Sequence, residues 1–316
     1  MKVAAPLLNH LIDFASYRGM NRQKLKSLLS EPETDLCIAG SFISSEEYLS
    51  VLEKVIKGQN DQNLGLFFGF YLNLNALGLI HTISLGTTSI QQALKMLDGF
   101  LKLNFPLVHI NQIKTKEKLH FELKSSVENP ETKKQLLDST FCFIFRELSM
   151  MMSVENIALS LPYRDRSAYL SLFKKGIEKS DFHTFSVDLE IVNGEINQKN
   201  FKDLEILLPQ FLKMVNSSEK DYKEFALKTR NMILNMCSPE LPTLEQVCKQ
   251  FAMSTRSFQR KLTQEGITFR SITNSIKKEL ATYLLEGNKM KTQDIALILG
   301  YSEPSAYLHA AKNWYN

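Results

Sequence analysis

Motifs that carry chemistry are scarce in this chain. There is no HExxH pair, no GxSxG elbow and no glycine-rich phosphate loop. The six histidines, at 10, 81, 109, 120, 183 and 309, are scattered, and Asp98, Asp138 and Glu147 share no motif with a partner. These absences argue against an enzyme and leave no catalytic residue, no metal set and no cofactor to name. Only four cysteines occur, Cys37, Cys142, Cys237 and Cys248, far apart and without a CxxC pair. That speaks against a disulfide framework or a zinc site and fits a reducing compartment. No apolar run is long enough to span a membrane. Near the N-terminus Asn9, His10 and Asp13 interrupt the apolar positions. That stretch reads as an amphipathic helix rather than a secretion signal. The expectation is a cytoplasmic protein with no membrane partner.

What is present is ordinary in amount and uneven in place. The 316 residues are enough for about two domains. The 44% hydrophobic and 23% charged content is that of a globular chain. From residue 220 onward Lys and Arg outnumber Asp and Glu by 14 to 9, against 24 to 25 before it. A near-neutral larger part joined to a basic smaller part implies that only the C-terminal part meets a polyanion, although a solvated basic surface has the same balance.

Residues 1–215 read as α+β, with helices first and a small sheet later. Helical spacing covers 4–29 with a break at Gly19, then a helix capped by Ser44 or Ser45, then 61–74. Residues 76–88 hold two glycines and little charge, and read as a buried connection or a strand-like segment. Ser89 caps the next helix. Residues 107–113 and 118–124 are strand-like, and Leu119, Phe121 and Leu123 share one face. Pro130 opens a long helix to about residue 152. Strands are expected at 157–161, 183–186 and 189–192, and helices at 168–173 and 201–215. His120 and Glu122 share a strand face, a pattern more often surface than site. The polar stretch 216–221 reads as a linker, and 222–316 as all-helical.

Within that last part, residues 244–266, LEQVCKQFAMSTRSFQRKLTQEG, read as a short helix, a tight turn and a second amphipathic helix. Leu244, Val247 and Phe251 form one inner face, Phe258 and Leu262 the other. Ser254 caps the second helix and Gly266 ends it. Arg256, Gln259, Arg260 and Lys261 are then free to project outward. A helix of this kind enters the major groove, where Arg and Gln pair with base edges. Thr255 and Ser257 can donate to phosphates. A weaker echo closes the chain, with Thr292 and Ser302 as caps and Gly300 as a turn matching the first. The helix 268–286 between the two is long enough to set them about one DNA turn apart, roughly 34 Å.

The C-terminal segment 225–316 resembles the DNA-binding domain of the AraC/XylS family of bacterial transcription regulators. The resemblance rests on MSTRSFQRKLTQEGITFRSI, KKELATYLL and DIALILGYSEPSAY. The first 215 residues resemble the arabinose-binding-like ligand domain of one subgroup, the ornithine- and virulence-regulator type. There the matching text is the early helix pair, FISSEEYLSVLEKV, NLGLFFGF and LGLIHTISLGTTSIQQALKML. The resemblance implies an α+β effector domain followed by an all-α DNA-binding domain with two helix–turn–helix units. It places base reading on Arg256, Gln259 and Arg260, and in the second unit on Pro304, Ser305, Leu308 and His309. The family has an arginine where His309 stands, a small polar residue where Leu308 stands and a large apolar residue where Ala311 stands. Its customary tail with a Gly and a Pro is missing after Tyr315. The second unit is therefore expected to bind more weakly.

The implied partners are promoter double-stranded DNA, a small-molecule effector, a second copy of the chain in a homodimer and, for an activator, RNA polymerase. Candidate effector contacts are His81, Phe100, His109, Phe141, Phe145 and Arg146, with Arg146 placed to receive a carboxylate. The competing reading makes the aromatics core and Arg146 solvated. A second function class also stands open. It is a ligand-binding or protein-interaction module with a degenerate, truncated DNA-binding domain.

Overall fold

The computed structural model describes residues 1–163, 166–216, 222–237, 241–286 and 290–315. They form two compact units, one of Met1–Leu72 and Leu79–Phe201, the other of Asn73–Gly78 and Lys202–Asn316. The first holds β1 (Lys2–Ala4), α1 (Ala5–Tyr17), α2 (Arg22–Lys26), β2 (Phe42–Ser44), α3 (Ser45–Gln59), α4 (Leu64–Tyr71), the later part of α5 (Asn73–Gly86) and α6 (Ile90–Asn104). It continues with β3 (His109–Lys114), β4 (Lys118–Lys124), α7 (Pro130–Met151), β5 (Ala158–Leu161), α8 (Arg166–Phe173), β6 (Ile177–Lys179), β7 (His183–Asp188) and α9 (Leu189–Val192). The second holds α10 (Gln198–Asn216) from residue 202 on, α11 (Glu224–Met236), α12 (Leu244–Gln250), α13 (Thr255–Gln264), α14 (Phe269–Glu286), α15 (Thr292–Ile298) and α16 (Pro304–Tyr315). The chain is thus mixed α/β with two sheets. Of the expected linker, Asn216 closes α10 and 217–221 lie outside the described residues.

Local chemistry explains where the helices start. Ser44 caps α3 in a capping box: its hydroxyl accepts from the Glu47 N–H, and the Glu47 carboxylate accepts from the Ser44 N–H. Glu47 also accepts from the backbone N–H of Ser30. That bond is the largest influence holding its carboxyl down at about 2. Asn129 accepts from the N–H groups of Glu131 and Thr132, and Pro130 fills the first turn of α7. Gly19 breaks the chain after α1 with φ +92°.

α7 is the axis of the first unit and is buried along most of its length. α4 meets it closely through Gly65 and Gly69. A Cβ at either position would run into α7, onto Gln135 at the first and onto Ser139 and Cys142 at the second. On the sheet side Phe141 stacks on Phe185 at 4.0 Å between ring centres. The large sheet has strand order β3-β4-β7-β5-β6. It is antiparallel except for the β5–β6 pair, and Phe121 lies opposite Phe185. β1 and β2 form a separate ribbon with Val3 opposite Ile43.

Three expectations are corrected. Residues 76–88 are neither strand nor loop but most of α5, because Ala, Leu and Ile carry the helix across Gly78, where no neighbour crowds the backbone. The apolar helix expected at 61–74 ends at Tyr71, and α5 starts afresh at Asn73. Residues 189–192 are α9, a single helical turn that closes after β7. The short strands β1, β2 and β6 carried no recognisable sequence signal.

In the second unit a buried arginine fastens three helices. Arg230 on α11 donates to the Met214 carbonyl of α10 at 2.9 Å and to both Glu279 oxygens of α14 at 3.0 and 3.1 Å. Nη2 alone spans both carboxylate oxygens, while Nη1 holds the carbonyl. Phe225, Phe251 and Phe258 form a closed edge-to-face trio with centroid distances of 5.2–5.4 Å. The Glu265 carboxylate accepts from the N–H groups of Phe225 and Ala226 at 2.9 and 2.7 Å, tying the end of α13 to the start of α11.

Candidate nucleic-acid interface

α12 and α13 form a helix pair held at each end by backbone and cap bonds. Thr243 and Gln246 make a capping box on α12. The pair turns at Ala252, which adopts φ +51°. There the Met253 N–H reaches the Cys248 carbonyl and the Ala252 N–H the Lys249 carbonyl, a Schellman closure. Ser254 caps α13 by accepting from the Ser257 N–H at 3.2 Å. A second Schellman closure ends α13 at Gly266, φ +82°, with Ile267 N–H on the Leu262 carbonyl.

This framing sets the two faces of α13. Phe258 and Leu262 are fully buried. Thr255, Arg256, Gln259 and Arg260 are exposed, and Ser257 is half-buried beside the cap. Among the described residues no ion pair or side-chain hydrogen bond engages Arg256, Gln259 or Arg260. The helix therefore presents two guanidiniums and an amide, their donors unspent, near its N-terminal end. Lys261 instead lies over the Phe225 ring at 5.2 Å.

The second pair, α15 and α16, shares this plan with different parts. Ile295, Ala296, Leu299 and Tyr307 are its core. It turns at Gly300, φ +73°, with Tyr301 N–H on the Ala296 carbonyl. Gly300 thus stands where Ala252 stands in the first pair, whereas Gly266 follows α13. The two glycines are not counterparts. Two expected caps are also corrected. α15 starts with Thr292 inside it and Lys291 as its uncapped boundary residue, and α16 starts at Pro304, two residues after Ser302. Pro304, Ser305, Leu308 and His309 are all exposed. Ser305 donates to the Glu303 carboxylate at 3.2 Å. Lys277 of α14 sits 4.3 Å from the centre of the Tyr301 ring, and burial lowers its ammonium pKa. Lys278 donates to the Trp314 carbonyl at 2.6 Å, near the end of α16.

Of the six effector candidates, Phe141 and Phe145 share Phe173 as a neighbour, while Phe100 lines a cavity. Phe100 lines an apolar cavity of about 40 Å³ together with Tyr48, Phe68, Phe105 and Phe143, and its ring lies 6.4 Å from Phe143. Phe141 and Phe145 are core residues meeting Phe173 at 5.7 and 4.8 Å. His81 is half-buried on α5, and His109 is exposed on the edge strand β3. Arg146 is half-buried beside Glu147, whose fully buried carboxyl is raised well above the usual range, chiefly by desolvation.

The first unit also holds a polar cluster that sequence reading missed. Asp138, without a partner in the sequence, meets His183 Nε2 at 2.8 Å, Lys134 Nζ at 2.6 Å and the Tyr169 hydroxyl at 2.8 Å. The i,i+4 spacing to Lys134 was the one available signal. Glu122, read as a surface residue, is buried, with Lys124 at 3.2 Å, and His120 meets the Ser186 hydroxyl at 2.7 Å.

No protein-family model matches the chain. It is 25% identical over 276 residues to the HTH-type transcriptional regulator VqsM of Pseudomonas aeruginosa, a match covering 82% of this chain and 83% of that protein. It is 32% identical over 89 residues to the ornithine utilization regulator of the same organism, covering 28% of this chain and 26% of that one. A crystal structure of the transcriptional regulator CdpR from Pseudomonas aeruginosa aligns with 86% of this chain and 89% of its own, at 18% identity and a TM-score of 0.38. The proteins that this chain is similar to are transcriptional regulators. No single helix among the described residues is long and apolar enough to cross a membrane.

Proposed function

We propose that the chain is a sequence-specific, DNA-binding transcription regulator of the AraC/XylS type, with α12–α13 and α15–α16 as its two helix–turn–helix units. The observation that carries this reading is the outer face of α13. Arg256, Gln259 and Arg260 are exposed, without a side-chain partner among the described residues, and mounted on a helix fixed by its Ser254 cap, its Gly266 stop and the phenylalanine trio. Rigid placement of this kind lets Arg pair with guanine O6 and N7, and Gln with adenine N6 and N7. Thr255, Ser257 and the first backbone N–H groups of α13 serve the phosphates. α14 spans about 27 Å at 1.5 Å per residue. With its flanking turns, that suits units one DNA turn apart, roughly 34 Å.

The first unit then acts as the effector and self-association part, and a bound small molecule controls promoter occupancy. Contact with RNA polymerase follows if the protein activates. The likeness to VqsM over four-fifths of both chains supports this full-length reading. The test is a gel shift with the whole protein on the DNA upstream of its own gene, at moderate salt. Arg256→Ala and Arg260→Ala are each expected to weaken the specific complex by about 1–3 kcal/mol, or about fivefold to 150-fold. Equal affinity for random duplex would rule out sequence-specific reading, and no shift from folded protein would favour a non-DNA module.

A further inference from the structure

α13 and α16 can be compared position by position from their first residues, Thr255 and Pro304. The fourth residue of each is buried and anchors the helix to its core: Phe258 in one, Tyr307 in the other. The second residue and the two after the anchor face outward in both. In α13 they are Arg256, Gln259 and Arg260. In α16 they are Ser305, Leu308 and His309. The same three stations thus carry hydrogen-bonding and charged groups on one helix, and a hydroxyl, an isobutyl group and an imidazole on the other.

Electrostatics separates the helices further. α16 has no Lys or Arg before Lys312, and the Glu303 carboxylate sits at its start, bonded to Ser305. A negative charge there opposes approach of a phosphate, and the reading stations offer no fork of donors to a guanine. Leu308 is 55% exposed and stands at one of these three outward stations, directly after the buried anchor Tyr307. Of the four bases, only thymine offers an apolar group in the major groove, its C5-methyl.

Resting on the DNA-reading assignment above, we infer that Leu308 of α16 reads thymine through its C5-methyl group. The protein then recognises a composite site. α13 reads a half containing guanine or adenine through charge-assisted and amide hydrogen bonds. α16 reads a thymine-bearing half through apolar contact, almost independent of salt.

The experiment uses the full chain and a duplex that it selects from a random library. The selected sites are expected to hold a thymine at fixed spacing from the purine read by α13. Replacing that thymine by deoxyuridine removes only the methyl group. It is expected to weaken wild-type binding about threefold to fivefold, the effect of one buried methyl, with the salt dependence unchanged. Leu308→Ala should bind the thymine and deoxyuridine duplexes alike. Leu308 is exposed, so this variant keeps the core intact. A selected duplex that is indifferent to deoxyuridine at every thymine, or one whose sensitivity persists in Leu308→Ala, overturns the thymine reading and leaves the DNA-binding assignment standing. Failure to select any duplex overturns both.

Discussion

Asp138 carries its charge with no access to solvent, and donors from α7, α8 and β7 converge on its two oxygens. Burial is the largest influence and pushes the carboxyl up. The hydrogen bonds and charges of His183 and Lys134 together outweigh it, and the carboxyl ends below its ordinary value. A group depressed in this way stabilises the fold above its unfolded pKa and loses that contribution as pH falls through the folded value. Asp138→Asn leaves Lys134 without its counter-charge. It is expected to cost about 3–5 kcal/mol, read as a lower urea midpoint. His10 acts at higher pH with the same sign. Burial lowers it from 6.5 to about 4, so the folded state favours the neutral ring. Its contribution is complete above pH 6.5 and declines as pH falls towards 4. His10→Leu is expected to flatten that stretch of the profile of Tm against pH, and an unchanged profile would clear His10 of this role.

At the scale of elements, the contact between α4 and α7 depends on two missing side chains. Gly69→Ala would drive a methyl group against Ser139 and Cys142. Overpacking of this sort costs about 1–3 kcal/mol, and Gly65→Ala, against the Gln135 backbone, is expected to cost no less. Circular dichroism during thermal melting checks both, and a neutral Gly69→Ala would mean that α4 and α7 do not meet as closely as the geometry requires. The sequence announces α4 as apolar, but it does not say why two glycines fall four residues apart. What could be read in advance was whatever local chemistry specifies. α3, α7 and α13 have cap residues, α3 and α13 also one-sided periodicity, and all three lie where expected. α5 lacks a polar stripe, so period alone could not separate it from a buried strand. β1 and β2 are three residues each and exist only through a pairing about forty residues long-range. The Asp138 cluster draws on Tyr169 and His183, which nothing local connects to it, and only the i,i+4 spacing of Lys134 hinted at it. The exposed basic face of α13 was legible for the opposite reason, since its cap, anchors and cations all lie within one short stretch.

At the scale of the molecule, charge sets how DNA binding should respond to salt. The segment from residue 220 holds the net positive charge, while the part before it is near neutral. Part of that charge is spent within the fold. Arg256 and Arg260 project from α13, while Lys261 covers Phe225, Lys277 covers Tyr301, and Arg230 is spent on Glu279. Each phosphate neutralised contributes about −0.9 to the slope of log K against log salt. Two to four such contacts would give a slope of about −2 to −4. His309→Arg would place a permanent cation on α16 where α13 has Arg260. It is expected to steepen the slope by about one unit and to tighten binding most at low salt. Fluorescence anisotropy with the full chain, from about 50 to 200 mM salt, separates the outcomes. A wild-type slope near −8 would mean that α16 already engages phosphates as α13 does. A steeper slope in His309→Arg alone would mean that the weakness of the second helix is electrostatic and sits at that one position.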